Sequence, residues 1–127
     1  MIYGVGTDLI EIRRVEKALQ RFGERFARRI LCEPELKRFR AHRKPAVYLA
    51  KRFAAKEAFT KALGTGIHAP ANWHGVWVVN LRSGKPTLEY SPELQEFLQR
   101  KKILKSHLSL TDEREIACAT VILETGD

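Results

Sequence analysis

The central segment of this chain reads Arg52-Phe53-Ala54-Ala55-Lys56-Glu57-Ala58-Phe59-Thr60-Lys61-Ala62-Leu63-Gly64-Thr65-Gly66. Its alanines and evenly spaced large apolar residues predict a helix in which charged residues are out of place. At about 100° per residue, Glu57 and Lys61 share one stripe with Ala50 and Ala54. We expect a smooth strip there that another chain or a ligand could approach closely. Periodicity alone favours a simpler explanation, an ordinary i,i+4 ion pair worth about 0.2–0.5 kcal/mol.

A second carboxylate stands in an unusual position near the start of the chain. Residues 1–12 read Met1-Ile2-Tyr3-Gly4-Val5-Gly6-Thr7-Asp8-Leu9-Ile10-Glu11-Ile12, which predicts a short strand that ends at Asp8. Gly4 and Gly6 leave room for close backbone approach. An amphipathic first helix is predicted after Asp8 from Ile12, Val15, Leu19 and Phe22. Asp8 would suit the N-cap of that helix, a role worth about 1 kcal/mol that does not exclude metal binding.

Three blocks of this sequence resemble the holo-[acyl-carrier-protein] synthases, which are the small 4'-phosphopantetheinyl transferases. They are Gly4–Ile12, Arg52–Phe59 with Lys61–Ile67, and His107–Glu113 with Ala117-Cys118-Ala119. The blocks stand in the same order as in that family, and the resemblance covers nearly the whole chain. It implies an enzyme that moves the phosphopantetheine arm of coenzyme A to a serine hydroxyl of an apo acyl carrier protein. Adenosine 3',5'-bisphosphate is the implied second product, and fatty acid biosynthesis the implied setting.

Mg²⁺ is the cofactor that the resemblance implies, with Asp8 and Glu57 as its ligands. Two acids are enough, because Mg²⁺ keeps several waters and is usually held by one or two carboxylates plus substrate phosphates. Such an ion would neutralise charge on the leaving phosphate oxygens. The resemblance makes Asp8, Glu57 and Lys61 the catalytic residues, with Lys61 contacting the pyrophosphate of coenzyme A. Lys56 points about 100° away from Glu57, and we interpret it as a subunit-interface or structural charge.

Further contacts to coenzyme A are expected in two other segments. Gly64 and Gly66 have the ordinary role of ending the central helix, and the resemblance adds a close approach to coenzyme A. In the segment 107–111, alternation puts His107 and Ser109 on a polar strand face, which in most sequences meets solvent. The resemblance assigns both side chains to the nucleotide side of coenzyme A.

The sequence does not identify a general base. The serine to be activated belongs to the partner protein, and a water held by the metal or by a carboxylate is a plausible base. Glu11 and Glu35 are alternative positioners of that water. Both stand where a helix is predicted to start, and acids are favourable there for structural reasons.

The basic surplus of the chain is confined to its first half. Residues 1–56 contain 15 Lys and Arg against 6 Asp and Glu, whereas residues 57–127 contain 8 against 9. The first helix carries four basic residues opposite its apolar face, Arg13, Arg14, Lys17 and Arg21. Such a face could steer an acidic partner, although most charged helix faces are merely solvated. The resemblance implies an acidic acyl carrier protein as that partner, with Arg14 and Arg21 as contacts.

Two other classes of function are compatible with parts of the sequence. A nucleic-acid binder would also have a pI near 9.8. No aromatic stacking motif supports it, however, and four phenylalanines occupy helical positions typical of a core, namely Phe22, Phe26, Phe39 and Phe53. A noncatalytic coenzyme A sensor or interaction subunit is the second alternative. The intact set of Asp8, Glu57 and Lys61 argues against it, so we predict no nucleic-acid partner and an active enzyme.

Length and composition predict one domain over residues 1–127, since a 44% hydrophobic content can furnish one modest core. The sequence has no run of about 20 apolar residues and no signal-peptide pattern, so we expect a soluble cytoplasmic protein without a membrane partner. Cys32 and Cys118 lack metal-ligand spacing and are expected to be reduced thiols. The remaining histidines, at positions 42, 68 and 74, have no zinc-site spacing.

The order of predicted elements indicates an α+β fold, with a largely antiparallel sheet and helices packed on one side of it. After the first helix we predict helices over 34–40, 46–63 and 92–101, a loop over 68–74, a hairpin of 76–81 with 87–90, and a final strand pair of 107–111 with 116–123. Ser91 is the predicted cap of the last helix. The resemblance implies the 4'-phosphopantetheinyl transferase fold in a homotrimer with active sites between subunits. Asp8 and Glu57 of one site could therefore come from one chain or from two.

Overall fold

The computed structural model describes residues 1–126, so Asp127 of the predicted domain lies outside the described part. The described residues form β1 (Ile2–Glu11), α1 (Ile12–Phe22), α2 (Glu24–Ile30), α3 (Glu33–Ala41), α4 (Pro45–Leu63), β2 (Val76–Asn80), β3 (Pro86–Tyr90), α5 (Pro92–Arg100), β4 (Ile103–Glu113) and β5 (Ile116–Thr125). None of the helices in this part of the chain is both long enough and apolar enough to cross a membrane.

Two antiparallel sheets give the molecule its architecture. β1, β5 and β4 form a three-stranded sheet in the order β1-β5-β4, and β2 pairs with β3 in a separate hairpin. α4 packs on one face of the three-stranded sheet and is the centre of the core, since twelve of its nineteen residues are buried. The predicted α+β fold with a largely antiparallel sheet is therefore confirmed.

Alternation along the strands separates an inner face of the three-stranded sheet from an outer one. The inner face meets α4 and carries the buried residues Ile10, Ala119 and Val121. On the outer face of β1, Val5 is 57% and Leu9 is 67% exposed. The outer face is thus an open surface with apolar side chains on it.

Close packing of α4 on β1 depends on two glycines. A Cβ atom at Gly4 would lie 2.0 Å from the Ala62 carbonyl oxygen, and one at Gly6 would lie 1.9 Å from that of Ala58. These distances are far inside van der Waals contact, so only glycine permits this approach. The predicted close backbone approach is confirmed, and the approaching backbone is the chain's own helix.

The strip of small residues on α4 is mostly covered by this same chain. Ala50 and Ala54 are both 0% exposed, so the expectation that another chain or a ligand reaches this part of the strip is wrong. Small side chains are needed there because they let the helix lie close to the sheet. Only the end of the strip that carries Glu57 and Lys61 is open.

Lys56 is fully buried and cannot lie at a subunit interface. Its ammonium group donates to the Ile30 carbonyl at 2.7 Å, to the Trp73 carbonyl at 2.7 Å and to Glu35 Oε1 at 2.8 Å. These three acceptors match the three protons of the ammonium group. Of the two predicted roles for Lys56, the structural one is therefore correct and the interface one is wrong.

Glu35 completes this buried network from α3. Besides Lys56, its Oε1 accepts the Cys32 backbone N–H at 3.0 Å, and its Oε2 accepts the Val78 backbone N–H at 2.9 Å. The first of these bonds caps the start of α3, and the second fixes β2. Glu35 is 1% exposed, which excludes the alternative of a solvent-facing positioner for a catalytic water.

Asp8 is not the N-cap of the first helix. β1 continues to Glu11, and Asp8 pairs with Ala119 of β5 in the middle of the ladder. α1 begins at Ile12 after Glu11, whose side chain makes no capping hydrogen bond. The strand is longer than predicted because β5 offers pairing partners as far as Ile116.

The other main difference is α2, which was not predicted. Gly23, with φ of 63°, ends α1 and turns the chain directly into α2. Because α1 stops at Phe22, that side chain is 49% exposed, and its predicted core position is wrong. Phe39 is buried as predicted, whereas Phe26 and Phe53 are partly buried against the core.

The remaining predicted elements are confirmed with small changes at their ends. α3, α4, α5 and the β2–β3 hairpin are all present, and β4 and β5 are longer than predicted. Ser91 caps α5 as expected, because its Oγ accepts the Leu94 backbone N–H at 3.2 Å. Local sequence signals were sufficient for these elements.

Candidate functional site

Asp8 and Lys61 meet where β1 and α4 are in contact. The Lys61 ammonium donates to Asp8 Oδ1 at 3.0 Å and to the Thr7 backbone carbonyl at 3.1 Å. The Lys61 side chain is 52% exposed and that of Asp8 is 15% exposed. The inward alternation of β1 points Asp8 at the helix, and the glycines at positions 4 and 6 bring the helix close enough for the pair to form.

Glu57 stands one turn before Lys61 and feels the charge of Asp8. Its pKa is raised above the ordinary value, chiefly by burial and then by the negative charge of Asp8, while Lys61 acts in the opposite direction. Asp8 therefore pairs directly with Lys61, whereas Glu57 interacts with both through charge. Asp8, Glu57 and Lys61 of a single chain lie near one another here, which is compatible with the alternative in which one chain supplies both acids.

This arrangement suits a divalent cation that prefers oxygen ligands. Two carboxylates and one ammonium group leave net negative charge, and carboxylate oxygens are what Mg²⁺ takes. Among residues 1–126 there is no group of three or more His, Cys, Asp or Glu placed to hold a metal. A closed zinc-type cage is therefore absent from this part of the chain. Asp8 and Glu57 could hold Mg²⁺ only with waters or substrate phosphates as further ligands.

The loop after α4 ends the helix as predicted. Gly64 adopts a left-handed conformation with φ of 86°, and its N–H donates to the Thr60 carbonyl at 2.9 Å. Gly66 also has a positive φ, of 68°. A Cβ atom built on either glycine would meet no described atom within 4 Å, so their surroundings are open. Contact with coenzyme A at Gly64 and Gly66 stays a prediction.

His107 and Ser109 lie on the other face of the sheet from Asp8. His107 pairs with Ile122 and Ser109 with Thr120, whereas Asp8 pairs with Ala119. Neighbouring positions on β5 point to opposite faces of the sheet. The sheet therefore separates His107 and Ser109 from Asp8. Both side chains are exposed as predicted, and His107 Nε2 lies 2.5 Å from Glu124 Oε1. A single chain does not bring His107 and Ser109 close to Asp8 and Glu57.

A basic cavity beside Arg52 was not predicted as a site. Arg52 is only 5% exposed, its Nη2 donates to Asn80 Oδ1 at 2.9 Å, and its guanidinium lies 3.9 Å from the Tyr48 ring centroid. Its Nε is buried without a hydrogen-bond partner among the described residues. The cavity has a volume of about 720 Å³ and is also lined by Arg38, His42, Lys51 and Arg82. Such a cavity attracts anions.

The sequence held one signal for this cavity, the charge of Arg52 at a position that the apolar pattern of the helix predicts to be buried. That signal did not reveal the cavity, because Asn80 and Arg82 come from the β2–β3 hairpin and its turn. A charged residue at a position predicted to be buried needs a partner that neutralises its charge. For Arg52, no carboxylate does so among the hydrogen bonds of the described residues.

The basic face of α1 is exposed as predicted and continues onto α2. Arg14 and Arg21 are exposed, and the Arg21 guanidinium lies 5.2 Å from the ring centroid of the exposed Phe22. α2 adds three exposed basic residues, Arg25, Arg28 and Arg29. The face thus combines several positive charges with an exposed aromatic ring, a composition found at protein interfaces.

Comparison with known proteins gives a consistent result. The model of the 4'-phosphopantetheinyl transferase superfamily matches residues 4–121. A holo-[acyl-carrier-protein] synthase of Azoarcus sp. is 52% identical over 125 residues, which cover 98% of this chain and 99% of that protein. The crystal structure of holo-[acyl-carrier-protein] synthase from Neisseria meningitidis matches with a TM-score of 0.96 and 42% identity, covering 98% of this chain and 100% of the other.

A third match is the structure of a holo-(acyl-carrier-protein) synthase from Bacillus anthracis in complex with CoA (3',5'-ADP). It has a TM-score of 0.84 and 37% identity, and the match covers 99% of each chain. The resemblance stated from the three sequence blocks is confirmed by these matches over almost the full length. The chain therefore belongs to the holo-[acyl-carrier-protein] synthase family of enzymes, within the 4'-phosphopantetheinyl transferase superfamily.

Proposed function

We propose that this chain transfers the 4'-phosphopantetheine group of coenzyme A to a serine hydroxyl of an apo acyl carrier protein. The reaction depends on Mg²⁺, gives holo acyl carrier protein and adenosine 3',5'-bisphosphate, and supports fatty acid biosynthesis in the cytoplasm. The observation that carries this proposal is the meeting of Asp8, Glu57 and Lys61 in a member of this family. The Bacillus anthracis relative in complex with CoA (3',5'-ADP) supports the same donor.

The chemistry needs little from the protein beyond position and charge. The serine oxygen bonds to the phosphorus next to the pantetheine arm, and the bond from that phosphorus to the bridging oxygen breaks. The electron pair leaves with adenosine 3',5'-bisphosphate, and the serine proton passes to a water. Mg²⁺ held by Asp8 and Glu57 would supply charge neutralisation for the phosphate oxygens. Lys61 is then within reach of the pyrophosphate, because its half-exposed side chain already lies beside Asp8.

We propose a homotrimer with sites between subunits, and the split of the predicted contacts supports sites of this kind. His107 and Ser109 lie across the sheet from Asp8, so one ligand that meets both groups has to lie between two copies of the chain. The outer face of the sheet also exposes apolar residues, among them Val5, Leu9 and Ile116. Exposed apolar residues grouped on one sheet face are typical of a subunit interface.

Coenzyme A has phosphates in two places, the pyrophosphate and the ribose. The basic cavity around Arg52 supports a ligand of this kind, because its buried guanidinium has no carboxylate partner. Arg52 precedes Glu57 by five positions, so the two side chains point about 140° apart around α4. We therefore propose the cavity for a phosphate other than the one near Lys61.

The acidic acyl carrier protein is proposed to dock on the basic face of α1, with Arg14 and Arg21 as contacts. Charge complementarity of this kind mainly raises the association rate and selects the partner. Glu11, the last residue of β1, is an exposed carboxylate. Glu11 therefore stays a predicted alternative for positioning the water that accepts the serine proton.

The test is intact-mass spectrometry of an apo acyl carrier protein incubated with this protein, coenzyme A and Mg²⁺. We expect the mass to rise by one phosphopantetheine arm, and the gain to be lost with EDTA. Glu57→Gln should lower the rate by at least about 10²-fold, because it removes one charged ligand. Glu96→Gln is the matched control, since Glu96 is an exposed glutamate on α5 whose partner is the surface residue Arg100.

Two outcomes would contradict the proposal. Equal transfer in EDTA would remove the metal from it, and no mass gain with several apo acyl carrier proteins would remove the reaction. In the second case, retained binding of carrier protein by Glu57→Gln would favour an interaction subunit. Oligonucleotide binding with a steep salt dependence and no effect of coenzyme A would favour the nucleic-acid alternative.

A further inference from the structure

The helix and the strand that carry Asp8 and Glu57 are packed tightly together, whereas the side chain of Lys61 is half-exposed. Gly4 and Gly6 fix α4 against β1, since even a methyl group at either position would overlap the helix backbone. Asp8 therefore cannot retreat from the helix. The Lys61 side chain is 52% exposed and has several rotatable bonds, so it can swing away into solvent. Lys61 can therefore change its partner while α4 and β1 stay in contact.

Lys61 contacts the carboxylate that a metal would need. Its ammonium lies 3.0 Å from Asp8 Oδ1, and the Thr7 carbonyl holds it there at 3.1 Å. Mg²⁺ would bind the same carboxylate, since it takes oxygen ligands. The ion and the ammonium are both positive, so each weakens the binding of the other to the Asp8 carboxylate.

We propose that Lys61 is a placeholder cation, which the divalent ion must displace from Asp8 and which the pyrophosphate of coenzyme A then receives. The inference rests on the proposed function, because it takes Asp8 and Glu57 as the metal ligands. Its consequence is thermodynamic coupling. Coenzyme A helps the metal to bind by giving Lys61 a new partner, and the metal helps coenzyme A by releasing Lys61. This coupling adds to any direct contact between the metal and the pyrophosphate.

Mn²⁺ binding provides a test that does not depend on turnover. Free Mn²⁺ is measured by electron paramagnetic resonance in titrations of wild type and Lys61→Met, each with and without saturating coenzyme A. Without coenzyme A, we expect Lys61→Met to bind Mn²⁺ at least about five-fold more tightly, because nothing has to be displaced. With coenzyme A, we expect affinities within about two-fold of each other, because Lys61 has already left Asp8.

This pattern separates displacement from a general effect of charge. If Lys61 only contributed long-range repulsion, its removal would raise the Mn²⁺ affinity in both states. Arg100→Met is the matched control, since it removes a positive charge from the exposed ion pair with Glu96 on α5 and should leave all four affinities unchanged. Lys61→Gln, which keeps a polar side chain, should repeat the result and guards against a folding defect in a single variant.

The failures of this inference and of the proposed function are distinguishable. If wild type binds Mn²⁺ through Asp8 but Lys61→Met shows no gain without coenzyme A, the placeholder is wrong and the metal site stands. A gain of equal size with and without coenzyme A also overturns the placeholder. If Asp8→Asn binds Mn²⁺ as wild type does, both the metal assignment and the placeholder are overturned.

Discussion

Two lysines of α4, five positions apart, each pair with a carboxylate in very different surroundings. Lys56 is 0% exposed, and its ammonium donates to two backbone carbonyls and to Glu35. Lys61 is half-exposed, and its ammonium donates to one carbonyl and to Asp8. The difference lies in what remains unsatisfied around each pair.

The pair of Lys56 and Glu35, here called the saturated pair, has no capacity left for a ligand. All three protons of Lys56 are used, and Glu35 accepts two backbone N–H groups in addition. The pair of Lys61 and Asp8, here called the open pair, is accessible to solvent and has a second carboxylate, Glu57, near it. Asp8 can therefore exchange the ammonium group for another cation. A lysine–acid pair is thus a candidate for chemistry when its groups are incompletely satisfied, and a structural element when they are saturated.

The largest effect we expect is the loss of stability on breaking the saturated pair. Lys56→Met leaves the buried Glu35 carboxylate without its cation, and removing one partner of a buried pair typically costs about 3–5 kcal/mol. Lys61→Met, in contrast, should cost no more than about 1 kcal/mol because its pair is solvent-accessible. Urea unfolding followed by circular dichroism measures both. Equal losses in the two variants would mean that the pairs do not differ as described.

A smaller effect is expected from Gly6→Ala, which tests whether packing of α4 on β1 positions the open pair. The new Cβ would lie 1.9 Å from the Ala58 carbonyl oxygen and 2.6 Å from the Ala62 nitrogen, so helix and strand must separate. Overpacking of this kind typically costs about 1–3 kcal/mol. We also expect weaker Mn²⁺ binding, because Glu57 and Asp8 stand on the two separating elements.

Gly23→Ala is the matched control for this packing test. Gly23 has φ of 63°, so alanine is strained there, but a Cβ would meet no described atom within 4 Å. Its stability should fall by about 1 kcal/mol, while its Mn²⁺ affinity stays that of wild type. If Gly6→Ala loses stability but keeps full Mn²⁺ affinity, the glycines serve the core and do not position the site.

Features set by neighbours along the chain could be predicted from the sequence. Glu57 and Lys61 lie on one helical stripe, and Ser91 caps its own helix, because both relations span only three or four residues. The alternation in the segment 107–111 likewise predicted which side chains are exposed. The resemblance added the link between Asp8 and Glu57, which no local pattern contains.

Features set by contacts between distant segments could not be predicted. The N-cap alternative for Asp8 is wrong because β1 is lengthened by pairing with β5, more than a hundred positions later in the chain. The partner of Lys56 lies 21 positions away on α3, so the sequence left its role open between an interface and a structure. α2 was missed because a single glycine separates it from α1. The separation of His107 from Asp8 follows only from strand register.

The smallest effect we expect is a pH-dependent stability difference at the open pair, measured in EDTA. Burial and the charge of Asp8 raise the pKa of Glu57 in the folded protein above its ordinary value near 4.5. A group with a raised folded pKa stabilises the fold below its unfolded pKa, and this contribution is lost as pH rises through the folded pKa. Glu57→Gln has no such titration.

The stability of Glu57→Gln relative to wild type should therefore increase from pH 4 to pH 7, in thermal unfolding followed by circular dichroism. Mg²⁺ should then raise the melting temperature of wild type more than that of the variant, because binding to the folded state alone stabilises it. Glu96→Gln should show neither trend, since Glu96 is on the surface. A difference that falls with pH would mean that the attraction of Lys61 for the Glu57 carboxylate outweighs burial and the repulsion by Asp8 together. The open pair would then resemble the saturated one, and the contrast between the two lysines would lose its chemical meaning.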